Sequence, residues 1–137
     1  MKYNITRIVA SVTIVLILAT LASCRKGGIN GDLDGQWRVL TVEDLSTGTV
    51  TEPTNIFYCF YLHTVNLSNP GVAATGIMTY SGTSLTLEFP YFPANYTEGT
   101  LSSWGIYTTE TNFKIERLNS NHLTIASTRS RITMRKF

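Results

Sequence analysis

From residue 33 onward, apolar side chains recur at alternate positions in short runs, and the runs are cut by Gly, Pro, Asn, Asp and Ser. A repeat of two is the period of a strand with one buried face. It excludes an amphipathic helix, whose apolar positions recur every three or four residues. The clearest case is Ser84-Leu85-Thr86-Leu87-Glu88-Phe89, which sets Leu85, Leu87 and Phe89 on one side. Residues 112–118 turn Phe113 and Ile115 inward, 122–127 turn Leu123 and Ile125 inward, and 131–137 place Ile132 and Met134 on a common face. Two segments are less regular. In 33–43, Trp37 and Val39 share one face while Leu40 and Val42 share the other, so the phase changes midway or both faces are covered. In 56–67, Ile56, Tyr58, Phe60 and Leu62 alternate with Phe57, Cys59, Tyr61, His63, Val65 and Leu67. Both faces are largely apolar there. The pattern predicts one long strand buried on both sides, with Cys59 a small buried apolar residue.

Residues 44–49, 69–71, 81–83 and 119–121 read as turns. Val50 and Thr51 suit a short strand stopped by Pro53, and 72–80 a weaker strand containing Gly76. The sum is seven or eight short strands in neighbour order with no long helix. This predicts an all-β fold, a small antiparallel up-and-down barrel, with a two-sheet β-sandwich as the alternative. Residues 90–103 break the alternation. Pro90, Pro93 and Gly99 exclude a regular strand, and 100–104 suits one helical turn. This stretch carries Tyr91, Phe92 and Tyr96 and leads into Trp104, a high aromatic load for a loop, so it is the candidate lid.

The start of the chain has a different character. Lys2 and Arg7 precede an uncharged apolar run over 8–21. As a helix this run would rise about 21 Å, short of the roughly 30 Å hydrocarbon layer and suited to the core of an export signal. The run ends in Leu21-Ala22-Ser23-Cys24, which resembles a bacterial lipobox. The resemblance implies a cut before Cys24 and acylation of that residue, so that the chain is held at a membrane by its lipids. Three segments follow: 1–23 as signal peptide, 24–31 as a Gly-rich flexible tether, and 32–137 as the folded domain. The full chain carries +2, and removing Lys2 and Arg7 leaves nine basic against nine acidic residues. A neutral chain lacks the concentrated basic surface that nucleic acid requires. Arg129, Arg131, Arg135 and Lys136 read as a solvated strand face. With Cys24 acylated, Cys59 has no cysteine left to pair with. No Asp stands beside Cys24 and no acidic cluster comes after it, which by analogy with lipoprotein sorting favours the outer membrane and its periplasmic face.

The lipobox, the tether, Leu33-Asp34-Gly35-Gln36-Trp37-Arg38-Val39 and the closing Ile132-Thr133-Met134-Arg135-Lys136-Phe137 together resemble the small lipocalin-like lipoproteins of Bacteroidetes. The resemblance implies an eight-stranded barrel and no particular activity. It also implies that Trp37 closes the base of the barrel beside a late arginine, with Arg129, Arg131 and Arg135 as the available partners.

No residue set for catalysis stands out. His63 and His122 lie apart without neighbouring ligands, no Gly-x-Ser-x-Gly or phosphate loop occurs, and the acids are scattered. The reading is of a protein that is not an enzyme and needs no cofactor or metal. Two functions remain. One is binding of a small apolar ligand or glycan by Tyr58, Tyr61, Tyr91, Phe92, Tyr96 and Trp104. The other is docking of an envelope protein by a filled barrel that holds no ligand.

Overall fold

The computed structural model describes residues 4–5, 8–12, 28–91 and 99–137. Cys24, Phe92 and Tyr96 therefore lie outside the described residues, as do most of the residues expected to form a signal and tether. Residues 8–12 are helical. Among the described residues, no helix is long and apolar enough to cross a membrane.

Among the described residues nine strands follow in order: β1 (Gly35–Asp44), β2 (Thr49–Thr51), β3 (Phe57–Tyr61), β4 (Thr64–Ser68), β5 (Ala73–Tyr80), β6 (Ser84–Glu88), β7 (Glu110–Leu118), β8 (His122–Ala126) and β9 (Ser130–Lys136). All pairings are antiparallel. The order is β2-β1-β3-β4-β5-β6-β7-β8-β9, and β9 returns to pair with β1. Eight strands thus close into an up-and-down barrel, and β2 is an extra strand on the far half of β1. Closure removes the sheet edges that an open meander would expose.

The two irregular segments are resolved by local geometry. β1 keeps its apolar residues inside by a bulge: the register with β9 shifts between Val39 and Thr41, so Leu40 is set outward and Val42 returns to the interior. One extra residue in a strand reverses the facing of all that follow. The same strand pairs with β3 over Gly35–Arg38 and with β2 over Val42–Asp44. The run 56–67 is two strands, not one. It folds at Leu62 and His63, with Tyr61 opposite Thr64, and Leu62 has φ 54°. A two-residue loop with positive φ at its first position alone has the φ pattern of a type II′ turn, which suits antiparallel strands but usually carries Gly there. Ile56, Tyr58 and Phe60 face in, as do Val65 and Leu67 on the next strand. Phe57, Cys59 and Tyr61 form the outer face. Cys59 is therefore half-exposed on the wall, across from Gln36 and Asn66, rather than buried.

The interior is filled by side chains. Trp37, Tyr58, Phe60, Leu67, Leu85, Leu87, Phe89 and Phe113 are fully buried. On β5, Gly76 makes room for the Phe89 ring, which would stand 2.7 Å from a Cβ at that position. The base of the barrel, where β1 begins, is shut by a 3-10 turn (Gly31–Leu33) whose Leu33 is buried. The Trp37 indole N–H donates to the Leu33 carbonyl at 2.8 Å. The cation above the Trp37 ring is Lys136, with Nζ 4.2 Å from the centroid, and not Arg129, Arg131 or Arg135. Lys136 Nζ also donates to the Asp32 and Asp34 carbonyls at 2.8 and 2.5 Å. The last strand thereby ties the floor to the wall.

Candidate functional site: a cleft at the mouth of the barrel

The opposite end, the mouth, is closed by the segment that follows the aromatic loop. A second 3-10 turn (Ser102–Trp104) dips into the barrel, and Leu101, Trp104 and Ile106 are all fully buried. Three contacts hold this plug. The Tyr58 hydroxyl donates to the Trp104 carbonyl, the Trp104 indole N–H donates to the Phe57 carbonyl at 3.2 Å, and the Ser130 hydroxyl donates to the Gly105 carbonyl at 2.6 Å. Burial pushes the Tyr58 phenol well above its ordinary pKa, so it stays a donor. Gly105 ends the turn at φ 75°, and a Cβ there would stand 2.9 Å from Ile132. Only glycine combines that backbone with that closeness.

Of the aromatic residues named from sequence, the four described ones do not converge. Tyr58 and Trp104 are packed in the core, where they plug the interior. Tyr61 is exposed at the base. Tyr91 projects into solvent on the mouth side, 88% exposed. Phe92 and Tyr96 fall outside the described residues. The apolar cup expected inside the barrel is occupied by the protein's own side chains.

Ligand-sized space among the described residues lies on the outside: a shallow opening of about 330 Å³ on the wall beside Gln36, Asn55, Phe57 and Ser68, and a more enclosed cleft beside the plug. The cleft, of about 320 Å³, runs between β2 and the second 3-10 turn, lined by Thr47, Thr49, Thr51, Ser102, Ser103 and Tyr107, with Asp44, Val42, Pro53 and Ile56. This is at the lower end of small-molecule pockets, about 300–1,000 Å³. Six of the ten lining residues carry hydroxyl groups, while apolar carbon makes up most of the wall surface and Asp44 adds a carboxylate. Tyr107 also borders a smaller adjoining cleft of about 200 Å³ with Thr108, Glu110, Asn112, Thr128 and Arg129. Arg129 fixes the partition between the two clefts. Its guanidinium lies 4.2 Å from the Tyr107 centroid and its Nε lies 3.4 Å from Asp44. Ser46 donates to Asp44 through both its hydroxyl and its amide, and these bonds, with the Arg129 charge, hold the Asp44 carboxyl below its ordinary pKa. Asp44 lines the cleft too, with its charge paired to Arg129.

Sequence reading passed over Thr47, Thr49, Thr51 and the two serines because no motif unites them. The available signal was the alternation of threonines across a stretch too short to bury anything. The basic group at the C-terminus is likewise committed: Arg131 bonds Glu116 at 2.6 Å and Glu43 at 3.1 Å, and Lys136 serves the floor. Among the described residues, no three His, Cys, Asp or Glu side chains group as a metal site would require.

A family model described as a lipocalin-like domain matches residues 18–137. Two crystal structures share the architecture. One is a lipocalin-like protein from Bacteroides uniformis ATCC 8492, with TM-score 0.61 at 21% identity over 78% of this chain and 100% of that one. The other is an uncharacterized protein from Bacteroides eggerthii DSM 20697, with TM-score 0.61 at 16% identity over 77% of this chain and 99% of that one. At these identities the likeness is one of fold. No curated protein matches the chain.

Proposed function

Because this chain belongs to the lipocalin-like domain family, we propose that it is a small-ligand-binding protein of the bacterial envelope, anchored by lipid at Cys24, whose ligand sits in the mouth cleft rather than inside the barrel. The observation that carries this reading is the division of space: large side chains fill the interior, and a ligand-sized cleft lies outside it, with six hydroxyl residues set among apolar carbon. Such walls suit a ligand with several hydroxyls and an apolar ring face, the chemistry of a mono- or disaccharide. Threonine and serine both donate and accept, and Pro53 and Tyr107 offer carbon to a sugar's C–H face. The role is binding, not catalysis.

Titration with N-acetylglucosamine, glucose and maltose, followed by amide NMR shifts, tests this. Shifts should concentrate at Thr49, Thr51, Ser102 and Tyr107 and vanish in Tyr107→Ala. Shifts confined to interior residues such as Met78 and Leu87 would overturn the cleft as the site. The filled interior also suits the second reading, a lipoprotein that docks an envelope protein and takes no ligand. A single stoichiometric partner recovered with the tethered protein, together with no saccharide shift, favours that one. The anchor is tested separately. Cys24→Ala should move the protein from the membrane to the soluble fraction, and full retention with the membrane would refute the anchor. Lack of an acidic signal after Cys24 supports an outer-membrane, periplasm-facing placement.

A further inference from the structure

The base of the barrel carries apolar side chains that the core does not bury. Ile29, Tyr61, Leu62, Ile77 and Phe137 are 64, 62, 43, 46 and 72% exposed. Topology brings them together. Asn30 Nδ2 donates to the Leu62 carbonyl at 2.9 Å, which sets the incoming chain against the β3–β4 hairpin. Phe137 donates its N–H to the Gln36 carbonyl at 2.9 Å beside the same strand pair, and its ring meets Phe57 edge-on at 5.2 Å. Ile77 stands next to the hairpin, with Thr64 opposite it and the Met78 N–H on the His63 carbonyl at 2.8 Å. The other two hairpins at this end, 81–83 and 119–121, are Ser-Gly-Thr and Asn-Ser-Asn. The apolar surface is therefore one-sided.

Leu62 supplies an independent argument. It occupies a hairpin position with φ 54°, where a branched side chain costs about 1–2 kcal/mol and Gly or Asn would cost little. Its side chain is not buried in return. An exposed leucine held in a strained backbone needs a use outside the monomer.

We infer that the base is a membrane-contact surface, with Ile29, Tyr61, Leu62, Ile77 and Phe137 resting in the headgroup layer of the bilayer. This rests on the anchor at Cys24. Asn30 is the sixth residue after Cys24, and six Cα–Cα steps reach at most about 22 Å. An acylated Cys24 therefore keeps the base, and not the mouth, within that distance of the lipid. Tyr and Phe beside aliphatic residues suit the boundary between headgroups and acyl chains. The charges at this end, Arg38, Lys114, Arg117, Arg135 and Lys136 against Asp32 and Asp34, leave a cationic excess that attracts anionic lipid. The apolar contact adds a share of the association that should persist in high salt.

The test uses the full lipidated chain reconstituted in vesicles of phosphatidylethanolamine and phosphatidylglycerol. In a Cys59→Ser background, an environment-sensitive fluorophore is placed at Leu62→Cys or at Leu45→Cys, an exposed leucine at the mouth end. On reconstitution the probe at 62 should shift to the blue, lose most of its quenching by aqueous iodide and become quenched by spin-labelled lipid. The probe at 45 should not change. If the chain does not float with the vesicles, the anchor fails and this inference with it. If it floats and the probe at 62 stays as open to iodide as the one at 45, the contact surface alone is refuted.

Discussion

Tyr58 joins the wall of the barrel to its plug through one hydroxyl. Tyr58→Phe keeps the ring and leaves the Trp104 carbonyl unpaired in the core. The expected loss is about 1–3 kcal/mol, read as a lower urea midpoint with an unchanged slope. The phenol also makes stability pH-dependent. Its folded pKa is raised by burial, so its contribution is complete below the unfolded value of about 10 and is lost as pH rises above it. The wild-type Tm should fall steeply above about pH 10, and the fall should be smaller in Tyr58→Phe. At the other end, Leu62→Asn relieves the left-handed backbone. Chemical denaturation should show a gain of up to about 1 kcal/mol. The same change should weaken contact of the base with vesicles, a gain in stability set against a loss of association.

The element that decides how the barrel can be used is the plug around Ser102–Trp104. Trp104→Ala should cost about 3–5 kcal/mol. It should also leave an apolar void that free indole refills, raising the Tm of the variant and not of the wild type. If indole has no effect on the variant, the segment collapses into the space. This element was only half legible in sequence. Two prolines and a glycine announced a break in the strands, and one helical turn fits the residues around Trp104. Nothing in a non-repeating stretch, however, says which aromatics turn inward. Where a strand has one wet face, as in β6, β8 and β9, alternation alone identified the inward residues. Between Phe57 and Ser68 it misled. The turn residues Leu62 and His63 carry no Gly, Asn or Pro, and two apolar faces suggested burial where Phe57, Cys59 and Tyr61 form an outer wall. β1 lay between these cases, because the clash of phases between Val39 and Val42 was visible and the bulge at Leu40 is its resolution.

On the scale of the whole molecule, a closed barrel made of sequence neighbours was readable from the order of turns. The mouth cleft was not, because it is made by β2, the plug and the rim, which meet only after closure. The outer wall carries ion pairs that cross strands, Arg131 with Glu43 and Glu116, and Arg129 with Asp44. Hydrogen bonds from Ser46 hold the Asp44 carboxyl low, and the bond from Arg131 does the same for Glu116. Groups with lowered folded pKa values stabilise above their unfolded values, about 4, and that contribution is lost as pH falls through the folded ones. Thermal melts should therefore weaken below about pH 4, and Arg131→Ala should flatten the acid limb. These pairs are surface pairs, so the shift is modest.

The pairing of β9 with β1 has a consequence in time. A chain that has emerged only as far as β8 has two unsatisfied sheet edges, one on β1 and one on β8, and β9 satisfies both in a single step. No shorter stretch of the chain contains a closed unit, so each ribosome product stays unlocked until its last strand arrives.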